Sequence, residues 1–181
     1  MQEWKFVSKD GRPISIRPAN TNDARNIFDG FKSVVDEGVW LPTFSPNSTL
    51  GDWIHWIQRT SQNREIFLVS LLDGVYAGHL TLQPEEWMAS GHVARLGIIV
   101  VEEHRRVGVG RALMMAAEEA AHAEGFEKII LSTFDSNDLA KSLYDSMGYR
   151  VVGYRMKHFK MPDGYINEVL YEKELLRKQN V

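Results

Sequence analysis

The residues with the most evident chemistry in this 181-residue chain sit in one run, Leu96–Leu113, which reads LGIIVVEEHRRVGVGRAL. An apolar segment leads into a turn that carries Arg105, Arg106 and Arg111 around Gly108 and Gly110, and helix-forming residues follow at once. Glycines let a backbone approach a ligand closely, and the first N–H groups of a helix lack intrahelical partners. The helix dipole adds about half a positive charge at the same end. With three arginines alongside, the natural ligand is a phosphate or diphosphate. Two other phosphate patterns are absent: no GxxxxGK[ST] run occurs, and GxGxxG would need glycine where Leu113 stands. Taken alone, the fragment also fits a tight strand-to-helix turn with solvated arginines.

The rest of the composition narrows the chemistry further. The chain has no cysteine, which excludes disulfides, thiolate-bound zinc, iron–sulfur clusters and a thiol nucleophile. Its six histidines show no ligand spacing with one another or with carboxylates, so no metal is expected. A net charge of −3 argues against a surface built for nucleic acid or an anionic membrane, while leaving room for a local cationic site. The first residues, MQEWKFVSKDGRP, are polar, and the aliphatic run Leu96–Val101 is far below the ~18 residues of a membrane span. A cytoplasmic protein is the expectation.

Hydrophobic periodicity places these residues on elements. Lys5–Val7 and Ile14–Arg17 read as a hairpin about Asp10-Gly11. Asn20–Asp23 offers N-cap chemistry to a helix whose apolar face runs from Ala24 to Val35, and a second helix carries Leu50, Trp53, Ile54, Trp56 and Ile57 beyond a loop at 45–48. Glu65–Leu72, Val75–Gln83 and His92–Val101 read as strands, followed by a helix over Gly108–Gly125 and a strand over Lys128–Ser132. A helix over Asn137–Met147 and a hairpin formed by Val151–Met156 and Tyr165–Glu172 complete the chain. The order β-β-α-α-β-β-β-α-β-α-β-β predicts one mixed α+β domain over 1–181, a central sheet with helices on both faces, and departs from regular βαβ alternation.

Arg105-x-x-Gly108-x-Gly110 matches the R/Q-x-x-G-x-G/A signature of the GCN5-related N-acetyltransferases. The segment from Asn137 through Ala140 and Tyr144 to Gly148-Tyr149 resembles the same family's N-x-x-A-x-x-x-Y…G-[FY] segment. The resemblance spans roughly residues 12–175. It implies a mostly antiparallel sheet whose fourth and fifth strands, in the family's count, splay apart to admit acetyl-CoA. By that resemblance, the backbone of Ile98, Ile99 and Val100 holds the pantetheine arm. The turn of Arg105, Arg106, Val107, Gly108, Val109, Gly110 and Arg111 holds the diphosphate, and Asn137 and Lys141 lie along the cofactor. Tyr144 stands where the family places its general acid, which would protonate the departing thiolate. The implied reaction is direct transfer to an amine, such as a small amine, an amino acid or a protein N-terminus. The alternative is a silent CoA-binding sensor of the same fold. A homodimer is the family's common state.

The amine must lose a proton before it attacks, since a lysine-like amine is only about 0.04% neutral at pH 7. Some members of the family it resembles place a glutamate in the matching strand, whereas residues 96–101 contain no acid. By the resemblance, Glu37, in the turn after the first helix where related enzymes build the acceptor site, is the candidate base and substrate contact. His79 is a second candidate or a packed core residue, and deprotonation through a chain of waters is the default. Trp40 and Phe44 are the expected walls of an acceptor pocket, whereas Trp53 and Trp56 are expected in the core.

Overall fold

The computed structural model describes residues 2–45 and 47–175. Pro46, in the loop expected at 45–48, lies outside them. The elements follow the expected order: β1 (Trp4–Val7), β2 (Pro13–Pro18), α1 (Ala24–Asp36), α2 (Leu50–Arg59), β3 (Ile66–Leu72), β4 (Val75–Pro84), β5 (Val93–Val100), α3 (Val109–Ala123), β6 (Lys128–Phe134), α4 (Asp138–Ser146), β7 (Arg150–Met161) and β8 (Gly164–Glu174). They form one eight-stranded sheet in the order β1-β2-β3-β4-β5-β6-β8-β7.

Local chemistry accounts for the boundaries. Asp73 and Gly74 both take left-handed backbone angles (φ 52° and 79°), as a two-residue hairpin turn between β3 and β4 requires. Capping boxes open both N-terminal helical segments: Asn20 with Asp23 before α1, and Thr49 with Asp52 at α2. β7 runs five residues further than its sequence pattern indicates. Lys157 (φ 52°) sits where the register with β8 shifts, and that irregularity breaks the alternation by which a strand is read.

The core lies on the two faces of the sheet. On one, Ala112, Ala116 and Ala117 of α3 let the helix sit close against Leu68, Leu80, Leu82 and Leu96. Truncating a side chain such as Leu113, fully buried there, would cost about 2–5 kcal/mol. On the other, α1 and α2 cover the sheet through Ile27, Trp53, Ile57 and Phe67.

All strand pairs are antiparallel except β5 with β6, which the α3 crossover makes parallel. That parallel contact covers only Val93↔Lys128, Ala94↔Ile129 and Arg95↔Ile130. Beyond it β5 stays with β4 while β6 follows β8, so the sheet opens between Leu96–Val100 and Leu131–Phe134. This is the expected splay, one strand later in chain order because the N-terminal hairpin contributes two strands.

Candidate active site

A cavity of about 630 Å³ occupies the opening. Leu96–Val100 of β5 form one wall, Ser132, Thr133 and Phe134 of β6 another, and α4 contributes Asn137, Ala140, Leu143 and Tyr144. At one end lies the turn that joins β5 to α3. Arg106 (φ 65°) and Gly108 (φ 109°) adopt left-handed angles and curl the backbone into a concave loop. Among the described residues the N–H groups of Arg106 through Arg111 have no protein acceptor; Ala112 N–H, to Gly108 O at 3.0 Å, is the first to find one. Such a row of unpaired donors at a helix start favours an anion.

The cations around this loop differ in availability. Arg105 is held by the protein: it donates to both carboxylate oxygens of Glu37 at 2.5 and 2.6 Å, and its Nε donates to Val100 O at 2.9 Å. The Trp40 ring lies 5.3 Å from its guanidinium, and Trp40 Nε1 donates to the same carboxylate. Among the described residues Arg106 has no protein partner, and Arg111 rests on neutral groups, Ser146 Oγ at 2.5 Å and Met147 Sδ at 3.3 Å. Lys9 adds a further cation to the wall, and its N–H donates to Val107 O at 2.8 Å, which ties the β1–β2 turn to the loop.

Tyr144 is buried and lines the cavity, its ring 5.4 Å from Tyr171 and 6.2 Å from Tyr149. Burial, reinforced by Tyr171, raises its pKa well above that of a free phenol, so it stays protonated.

A second cavity, of about 510 Å³, adjoins the first and shares Leu41, Gly97, Ile98 and Ile99 with it. Register explains its floor: Thr81 pairs with Gly97 and His79 with Ile99, so these side chains face α1 and α2. Phe31, Trp53 and Trp56 wall it. His79 Nδ1 is 2.7 Å from Tyr76 Oη, while Nε2 has no protein partner among the described residues. Burial pushes the His79 pKa down to about 3, so the imidazole is neutral. Gly30 makes room for this pair, since a Cβ there would stand 2.4 Å from the Tyr76 ring.

A split sheet whose opening ends in an unpaired row of N–H groups is the geometry that the two sequence motifs imply. The model of the acetyltransferase (GNAT) family matches residues 33–149, well over half of the chain. The chain belongs to the GNAT family. Among curated relatives, a phosphinothricin N-acetyltransferase of Streptomyces viridochromogenes is 27% identical over 82% of this chain and 84% of its own length. An N-alpha-acetyltransferase of Sulfurisphaera tokodaii is 28% identical over 80% and 85%. Among solved structures, a phosphinothricin acetyltransferase of Sinorhizobium meliloti in complex with AcCoA superimposes with a TM-score of 0.84 at 18% identity, covering 90% of this chain and 88% of that one. This GNAT protein is an acetyl-CoA-dependent acetyltransferase with an amine as acceptor.

Within the GNAT frame the structure distributes the expected residues unevenly. Ile98, Ile99, Val100, Arg105, Arg106, Val107, Gly108, Gly110, Arg111, Asn137 and Tyr144 all line the larger cavity, while Val109 is buried as the first residue of α3. Asn137 also caps α4, accepting from Ala140 N–H at 3.1 Å. Lys141 lines neither cavity; it donates to Asp135 O at 2.5 Å and pairs with Asp138 at 2.7 Å. Glu37 lines neither cavity, and its bonds to Arg105 hold its pKa below the ordinary carboxylate value. Phe44, 63% exposed, stands outside both, whereas Trp40 lines the larger one. Trp53 and Trp56, expected as core, are core and pocket wall at once. Lys9 and Phe6 were missed, because nothing local in a hairpin sequence indicates that its turn docks on a loop about a hundred residues away.

Proposed function

We propose that acetyl-CoA lies in the larger cavity, with its diphosphate on the N–H groups of Arg106 through Arg111 and its pantetheine arm along the open edge of Leu96–Val100. The observation that carries this reading is the row of donors without acceptors, placed at the end of a cavity that leads to Tyr144. Arg106, Arg111 and Lys9 add charge around the diphosphate, and Asn137 flanks it on α4. Arg105 and Glu37 act instead as a strut between the cofactor loop and the segment after α1.

The neutral acceptor amine attacks the thioester carbonyl carbon, the C–S bond breaks with its electron pair on sulfur, and the surplus proton of the amine leaves to solvent. Tyr144 supplies the proton to the departing sulfur and is reprotonated from water. Its raised pKa supports this role, because an acid must be protonated when the thiolate forms. No covalent enzyme intermediate is needed, in keeping with a chain that has no cysteine. The two cavities meet at Gly97–Ile99, where the acetyl group would lie.

The whole of 1–181 acts as one domain in this reading. β7 is an edge strand exposed along most of its length, with Val151, Val152, Tyr154 and Met156 open to solvent, which supports a homodimer through that edge. Among the described residues no helix is long and apolar enough to cross a membrane, and a cytoplasmic location is part of the proposal. The test is a calorimetric titration with CoA and with ATP, followed by thiol release from acetyl-CoA across a panel of amines. Binding of CoA but not ATP, with amine-dependent release, is expected. CoA binding without release from any amine would mark a silent CoA-binding module.

A further inference from the structure

The second cavity carries more information about the acceptor than the motifs do. Its walls are the rings of Phe31, Trp53 and Trp56, with Phe31 5.2 Å and Trp56 5.4 Å from Trp53. Both indole N–H donors are already used inside the protein. Trp53 Nε1 donates to Ser48 Oγ at 2.9 Å and Trp56 Nε1 to Glu65, so the rings present their apolar faces. Among the described residues no lysine or arginine lines this cavity. Arg105 is locked on Glu37 and lines the other cavity.

Among the described residues, the one charged group on the wall is acidic. Asp52 Oδ2 accepts from the Thr49 N–H and hydroxyl at 2.7 and 2.8 Å, while its Oδ1 has no protein partner among the described residues. Those Thr49 bonds hold the carboxyl below its ordinary pKa, so it is ionised at neutral pH. Such a cavity attracts a cationic amine by charge and by the faces of its aromatic rings. It penalises an anionic group, which would be desolvated with no cation to pair with. Once inside, the amine is pushed by the apolar walls towards its neutral, nucleophilic form.

We propose that the acceptor is a compact primary amine on an aromatic or aliphatic body that carries no carboxylate, phosphate or phosphinate. This rests on acetyl-CoA occupying the larger cavity, so that the second one is left to the amine. It separates the chain from the relative whose name specifies phosphinothricin as acceptor.

Matched pairs of amines test it, with thiol release from acetyl-CoA as the readout. 2-Phenylethylamine and L-phenylalanine differ only in the carboxylate, and L-phenylalaninamide keeps the bulk without the charge. The expected result is kcat/KM at least tenfold higher for 2-phenylethylamine than for L-phenylalanine, with the amide following the amine. Equal or better turnover of L-phenylalanine or phosphinothricin would overturn the inference, as would an amide rejected like the acid. Asn47→Lys, on the exposed rim of this cavity, should shift the preference severalfold towards L-phenylalanine, and an unchanged ratio would mean that the acceptor binds elsewhere. Asp52→Asn, which can still cap α2, should raise the KM for 2-phenylethylamine three- to tenfold and leave the KM for acetyl-CoA alone; no change counts against the assignment. Failure of every amine while acetyl-CoA still binds would remove the transfer reading itself, and this inference with it. Turnover confined to anionic acceptors removes only the inference.

Discussion

The two cavities on either side of β5 are built from different material. The larger one is made of backbone at its working end: a loop of left-handed residues, a helix start and an unpaired strand edge, all within Leu96–Arg111. The smaller one is made of side chains from α1, α2, β4 and β5 and the loop after α1. A backbone site needs few residue identities beyond glycine, so it suits a ligand part that never changes. A side-chain site is respecified by substitution, so it suits the part that varies between enzymes of one fold. On the proposed reading, donor and acceptor sites are separated by chemistry as well as by position.

The sharpest way to break this comparison is Gly110→Asp. A carboxylate placed against the diphosphate should weaken acetyl-CoA binding on the order of a hundredfold by calorimetry, since like charges a few ångströms apart at a protein surface repel by several kcal/mol. Gly110→Ala is the control. Its Cβ would meet Leu143 Cδ2 at 3.2 Å, a contact that a flexible leucine can relax, so a loss of only a few-fold is expected. An equal effect of the two variants would mean that the loop is crowded rather than anion-binding.

Next in size is Tyr144→Phe, which keeps the ring against Tyr171 and removes the proton. We expect kcat to fall on the order of a hundredfold with acetyl-CoA affinity within about twofold of wild type. Because burial raises the phenol pKa, the kcat profile of the wild type should show no limb from this group between about pH 6 and 9. Parallel losses in binding and turnover would reduce Tyr144 to a packing residue.

Glu37→Gln addresses the strut. The bonds from Arg105 hold the Glu37 pKa below the ordinary carboxylate value, so its contribution to stability is present above that ordinary value and fades as the pH falls through the folded one. Urea unfolding should therefore show the variant less stable by about 1 kcal/mol at pH 7, a figure kept small because the pair is partly solvated. The gap should narrow as the pH falls through the folded value of Glu37, below which the protonated carboxyl resembles the amide. A gap that persists there would mean the charge is not what matters. The smallest effect is expected for Lys141→Ala, whose side chain is tied to Asp135 and Asp138 away from both cavities: less than twofold in acetyl-CoA affinity by calorimetry.

What the sequence revealed follows the same division. The order of strands and helices was legible because turn and cap chemistry is local: Asp73-Gly74 specifies its hairpin, and Asn20–Asp23 caps the approach to α1. The cofactor loop was legible because its glycines and arginines are contiguous. The partner of Arg105 was not, since Glu37 lies 68 residues away and only the fold brings them together. Glu37 looked like a base because an acid in the right turn is a plausible base until its partner is known. Trp53 and Trp56 looked like core because a helical stripe of aromatics does not show that one edge of the stripe faces a cavity. The length of β7 was hidden by the irregularity at Lys157.

The central claim is that backbone donors of the β5–α3 loop hold the diphosphate of acetyl-CoA. Amide hydrogen exchange measures it most directly, because in the free protein the N–H groups of Arg106 through Arg111 have no acceptor among the described residues to slow them. Saturating acetyl-CoA should slow exchange at these amides and along Leu96–Val100, while the acceptor amine alone leaves them unchanged. Bound acetyl-CoA with undiminished exchange at Arg106–Arg111 would contradict the account.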